Sequence, residues 1–135
     1  MKRPFFIAIL LSAALSIYAQ EVDYEYGDPS ELKGMTKVFV DPSGDMQLRP
    51  KITKALAQKI PALVFVDDYD DAEFTIVFNQ NGTGGGWVVA TQSKKNPERP
   101  RVLMTLRYWK VYPWQSGFVD KFVSEFMKTY KKANK

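Results

Sequence analysis

Residues 36–78, TKVFVDPSGDMQLRPKITKALAQKIPALVFVDDYDDAEFTIVF, decide the fold, because they read as strand, helix, strand, turn and strand with one apolar face throughout. Val38 and Val40 point one way and Phe39 the other, the two-residue alternation of a pleated segment. Asp41-Pro-Ser-Gly breaks that strand. Leu48, Ile52, Leu56 and Ile60 then recur every four residues with Ala55 on the same stripe, which predicts a helix over 47–60 with one face laid on a sheet. Ser43 or Asp45 is expected to cap it, Pro50 sits near the first turn where a missing amide costs least, and Pro61 stops it. Residues 63–66 read as a short buried strand. In 72–78, Ala72, Phe74, Ile76 and Phe78 alternate with Glu73, Thr75 and Val77, the clearest strand of the chain.

Upstream, Met1-Lys-Arg precedes an almost wholly apolar run that ends at Ala19. Two cations, an apolar stretch and a small residue at the cut describe a secretory leader over 1–19, cleaved after Ala19. The alternative is a retained anchor, but the run over 5–19 is short of the roughly twenty residues that span a bilayer, and acidic residues follow it. The expected product is periplasmic or secreted, without stable membrane insertion. The chain has no cysteine, so it lacks both the acylation site of a lipoprotein and any disulfide. Small secreted animal domains usually need cross-links, which points instead to a bacterial envelope. With an aromatic share of 14%, packing has to supply the stability.

Residues 20–35 form an acidic, turn-rich lead-in in which Val22, Tyr24 and Tyr26 alternate with Asp23 and Glu25, so part of it is expected as an edge strand. Residues 36–135 then make one domain with a single core. The net charge is +4, half of it from Lys2 and Arg3 in the leader, and such a balance gives no argument for nucleic acid.

Several segments offer chemistry and have a plainer reading beside it. Asp67-Asp-Tyr-Asp-Asp71 could be a calcium loop, yet it lacks the alternation and central glycine of an EF-hand and reads as a solvated hairpin turn. Asn79 to Trp87 is glycine-rich, but no Gly-Lys-Ser/Thr and no helix follow, so a hairpin loop replaces a phosphate cradle. Trp87 reads either as an exposed contact or as a core filler at the mouth of the next strand. After the polar loop 92–100, residues 101–112 form the longest strand, with Val102, Met104, Leu106 and Tyr108 on the core side. Arg101, Thr105, Arg107 and Trp109 take the wet side, where Arg107 and Trp109 either stack a partner or pack on one another. Ser116 is expected to cap a final helix, in which Phe118, Val119, Phe122, Val123, Phe126, Met127 and Tyr130 make a wide apolar stripe. That helix is read as the second cover of the sheet in preference to a membrane-surface helix.

The chain has no histidine and no cysteine, so it lacks the commonest general base, the usual zinc ligands and the thiol nucleophile; no cofactor or metal motif is present. A carboxylate-dependent hydrolase is the enzymatic alternative, resting on the acidic turn.

The segments Lys37-Val-Phe-Val-Asp41, the helix ending at Ile60, Leu63-Val-Phe-Val66, Asp71-Ala-Glu-Phe-Thr-Ile-Val-Phe78 and Phe118-Val-Asp-Lys-Phe-Val-Ser-Glu-Phe together resemble small bacterial envelope proteins with a strand-helix-strand-strand core. The TolB amino-terminal domain, the CsgG-like secretion components and small lipoproteins of unknown function are of this kind. The resemblance implies an assembly or binding role and offers no catalytic residue. The missing acylated cysteine departs from the lipoproteins and removes their tether.

The expectation is therefore a two-layer α+β domain, a mixed and mostly antiparallel sheet of about five strands with two helices on one face. It is read as a non-enzymatic binding or assembly module for a protein or envelope component. The candidate contact residues are Trp87, Arg107 and Trp109, with Gly84 and Gly85 in the loop. A self-associating component joined edge to edge through the lead-in is the structural alternative.

Overall fold

The structure is a computed structural model that describes residues 25–41, 46–81, 84–92 and 99–135. Residues 1–19, expected as a leader, Val22 and Tyr24 of the lead-in, the expected caps Ser43 and Asp45, and most of the polar loop before Arg99 lie outside the described residues.

Among the described residues six strands form one sheet: β1 (Glu25–Tyr26), β2 (Lys37–Asp41), β3 (Val64–Phe65), β4 (Phe74–Asn81), β5 (Gly84–Gln92) and β6 (Pro100–Trp109), in the order β1-β6-β5-β4-β2-β3. The long strands β4, β5 and β6 pair antiparallel, while β1 on β6, β3 on β2 and β2 on β4 are shorter parallel pairings. Two helices, α1 (Leu48–Lys59) and α2 (Phe118–Ala133), pack on the same face. The result is the expected two-layer α+β arrangement, with β1 as a sixth strand.

The helix stripes account for the core. Leu48, Ile52 and Leu56 of α1 and Phe118, Phe122, Phe126 and Tyr130 of α2 are buried with Val38, Val40, Phe74, Ile76 and Phe78. Phe122 meets the Phe78 ring edge-on at 4.7 Å and the Trp87 ring at 5.0 Å. Such contacts add about 0.5–1.5 kcal/mol each to the burial of area.

Both helix starts differ from the expected caps. Residue Gln47 precedes α1 and Gly117 precedes α2, and neither makes a side-chain cap. Ser116 stands one residue too early, with its carbonyl taken by the Tyr108 hydroxyl at 2.6 Å.

The acidic stretch after β3 is a crossover and not a hairpin. β3 and β4 flank β2 on opposite sides and both run parallel to it, so residues 66–73 must pass over β2. Because α1 already carries the chain from β2 to β3 on one face, the right-handed preference of parallel crossovers sends the return connection across the other. A 3₁₀ turn at Tyr69–Asp71 makes that passage, with the Tyr69 ring set edge-on against Phe39 at 6.5 Å. Tyr69, Val77, Val88, Ala90 and Val102 form a second, smaller buried cluster there.

The lead-in is tied into the domain. Leu32 is fully buried in the main core, and Gly27 N donates to the Val102 carbonyl at 2.8 Å. A Cβ on Gly27 would lie 2.7 Å from both Arg101 Nε and Glu31 Oε2, so only glycine lets the backbone pass so close. Gly34, with φ of +81°, turns the chain into β2 and donates to Asn134 Oδ1 at the end of α2.

Candidate functional site

The structure separates the residues that the sequence groups together. Trp87 is fully buried beneath α2 between Phe118 and Phe122, so its core reading holds and it is not a contact residue on the wet face. Its Nε1–H finds no acceptor among the described residues. Gly84 and Gly85 belong to β5 and pair with Trp109 and Tyr108, because the β4–β5 ladder continues to Asn81 and Gly84 and shortens the expected glycine loop.

Strand β6 also changes face partway. The register steps from Val89 opposite Met104 to Ala90 opposite Val102, which leaves Leu103 as the extra residue of a bulge. Leu103 therefore joins the main core under the helices, and Val102 falls in the second cluster, not with Met104 and Tyr108 as strict alternation requires. Arg101 leaves the wet side for the same reason and pairs with Glu25 and Glu31 of the lead-in.

What stays uncovered is the far end of β6. Thr105 pairs with Val88, Arg107 with Gly86 and Trp109 with Gly84 on the face away from the helices, and all three are exposed. Arg107 and Trp109 thus share one open strip beside glycines that present no side chains.

Beyond Trp109 the chain does not continue as strand to Tyr112. Gln115 Oε1 accepts from the amides of Val111 at 2.7 Å and Tyr112 at 2.8 Å, and Gln115 N donates to the Tyr112 carbonyl at 3.1 Å. This local turn turns the side chains outward: Val111 is 72% exposed and Trp114 is 78% exposed. Tyr112 and Trp114 stack on one another, ring centres 4.7 Å apart and 5° from parallel. Four of the eight large apolar side chains exposed among the described residues fall at positions 109–114. Alternation along 101–112 extends the strand to Tyr112 and so brings only Arg107 and Trp109 into view as contact residues. The Pro113-Trp114-Gln115 turn was the available signal, since an indole in a tight polar turn has little chance of reaching a core.

The acidic turn offers a different picture. Asp67, Asp68, Asp70 and Asp71 are all exposed, and among the described residues no carboxylate is buried. Asp67 faces Arg49 at 3.3 Å, and Asp68 accepts from the Asp70 amide. No group of three or more carboxylates, histidines or cysteines able to hold a metal ion occurs among the described residues. Nearby, Tyr69, Glu73, Thr75 and Thr91 line a recess of about 150 Å³, below the several hundred Å³ typical of small-molecule sites. The Glu73 carboxylate there is committed to the backbone amides of Thr36 at 2.7 Å and Lys37 at 3.0 Å. Those two bonds, Lys37 first, hold it below the usual carboxylate range. An open groove of about 510 Å³ runs along α1 past Arg49, Lys54, Phe65 and Asp67.

Fold and surface together define a class: a two-layer α+β domain with a helix-covered core and an exposed aromatic and basic strip where β6 leaves the sheet. No protein-family model, no curated protein and no solved structure matches the chain.

Proposed function

We propose that the chain is an exported, non-enzymatic binding module of a bacterial envelope, engaging its partner through the end of β6 around Arg107 and Trp109. The observation that carries this reading is the concentration of exposed Trp109, Val111, Tyr112 and Trp114 beside Arg107 on a turn braced by Gln115. Contiguous exposed apolar surface rimmed by polar residues marks an interaction site, and aromatic residues with arginine are the types that dominate binding energy.

The ionisable groups support a binding role over a hydrolytic one. Glu73, Arg101 and Tyr130 have displaced ionisation, and each is engaged in joining chain segments: Glu73 to β2, Arg101 to the lead-in and Tyr130 to the Met35 carbonyl. A carboxylate-dependent hydrolase requires two carboxyl groups facing each other across a cleft in unlike environments, and the exposed Asp67–Asp71 turn gives it no support. No helix among the described residues is long and apolar enough to cross a membrane.

The test is cosedimentation of residues 20–135, the product expected after cleavage, with native envelope fragments. Arg107→Ala combined with Trp109→Ala is expected to keep the circular dichroism of the parent and to lose cosedimentation. Undiminished cosedimentation of a folded double variant removes the reading.

A further inference from the structure

Resting on that reading, we infer that the partner met by residues 107–114 is an anionic lipid surface, held peripherally by aromatic side chains at the headgroup level with cations beside them.

Three observations converge on a bilayer interface. The first is the residue mixture: two indoles and a phenol, which have an apolar body and a polar tip, are the side chains that settle at the boundary between hydrocarbon and water. Val111, at 72% exposure, has no polar atom to offer a sugar or a hydrophilic protein surface but suits an apolar phase. The second is charge. Arg107 lies two residues before Trp109 and Lys110 follows it, whereas Lys121, over the Tyr108 ring on the helix side of the sheet, is paired with Glu125 at 3.4 Å and is not counted with them. The segment 107–114 thus carries two basic residues and no acidic one, the charge that lipid phosphates favour. The third is rigidity. The Gln115 bonds and the Tyr112–Trp114 stack hold the turn in place, so the rings stand outward without a further ordering cost on binding.

The experiment uses the full chain and reads the indoles, because the apolar run over 5–19 partitions into lipid by itself and would mask a simple binding curve. Vesicles of phosphatidylglycerol or of phosphatidylcholine, free of protein and carrying lipid brominated near the headgroup, are mixed with the chain, and tryptophan quenching is recorded. Phosphatidylglycerol is expected to quench Trp109 and Trp114 and phosphatidylcholine to quench them far less. Trp87, buried in the core, serves as the internal unquenched control. The quenching should vanish in Trp109→Phe with Trp114→Phe. Arg107→Gln with Lys110→Gln should weaken the phosphatidylglycerol response by roughly thirtyfold in apparent affinity, the effect of removing two cations near an anionic surface. Absence of quenching with phosphatidylglycerol, or equal quenching by both lipids, overturns the inference. If either occurs while Arg107→Ala with Trp109→Ala still abolishes cosedimentation with native envelope, the binding module stands and its partner is a protein or glycan. If cosedimentation also survives, both readings fall.

Discussion

Arg101 of β6 and Glu31 of the lead-in, 70 residues apart, are joined by two 2.7 Å hydrogen bonds, Nε to Oε1 and Nη2 to Oε2. Glu25 holds the same guanidinium, and Glu31 Oε2 also accepts the Asp28 amide at 3.0 Å. One planar fork thus fixes β1 and the 3₁₀ turn at Pro29–Leu32 against the sheet. Arg101→Ala is expected to release this segment: amide exchange at Gly27 and Glu31 should accelerate while the centre of β5 stays protected. Lysine at 101 should rescue only part of the protection, since a point charge cannot satisfy both oxygens in a fixed plane. Gly27→Ala should act like Arg101→Ala, because its Cβ would displace the pair. Unchanged exchange in either variant contradicts the assigned role.

Trp87 supplies the thickest part of the core. Trp87→Ala should cost about 3–5 kcal/mol in denaturant unfolding, the range for truncating a buried aromatic. Trp87→Phe should cost much less, since it keeps ring contacts with Phe118 and Phe122 and removes an N–H that has no acceptor among the described residues. Equal losses in the two variants would contradict the role given to the ring contacts.

Glu73 predicts an acid limb. Its folded value is depressed below the ordinary 4.5 by the amides of Lys37 and Thr36, so its stabilisation is fully present above the ordinary value and is lost as pH falls through the lowered one. Glu73→Gln should be less stable than the parent at neutral pH by about 1 kcal/mol, the size of an exposed capping interaction. The difference should shrink in acid, as urea unfolding at both pH values will show.

Tyr130 predicts the alkaline counterpart. Burial first, and the Glu73 charge second, raise its folded value above 10.0, so its contribution is intact below that pH and is lost as pH rises through the folded value. Tyr130→Phe loses the hydrogen bond to the Met35 carbonyl, at about 1 kcal/mol, and removes this part of the alkaline destabilisation. Thermal melts on either side of the phenol range give the comparison.

The strip at the end of β6 should be dispensable for folding. Trp109→Ser and Trp114→Ser are each expected to change stability by no more than about 0.5 kcal/mol, as for exposed side chains outside the core. A loss of several kcal/mol would reassign these indoles to packing.

How much of this was legible in the chain follows from how local each signal is. The apolar repeat of Leu48, Ile52 and Leu56 and the paired stripe from Phe118 to Tyr130 announce helices because i and i+4 neighbours must share a face. Alternation in 72–78 announces β4 for the same reason. The candidate strip was half legible: Arg107 and Trp109 show on alternation, whereas Val111, Tyr112 and Trp114 become outward-facing only because Gln115 ends the strand early.

By itself the sequence determined the helices, the main strands and the side of the sheet they cover, since amphipathic period and strand alternation are properties of consecutive residues. Only the tertiary structure decided that the acidic turn crosses β2, that Leu103 bulges and moves Val102 and Arg101 to the opposite sides, and that Trp87 is enclosed while Trp114 is not. These depend on which strands become neighbours and on where a ladder gains one extra residue, and such pairings form between segments far apart in the chain. A single inserted position reverses every later side chain, so local alternation cannot report the face beyond it.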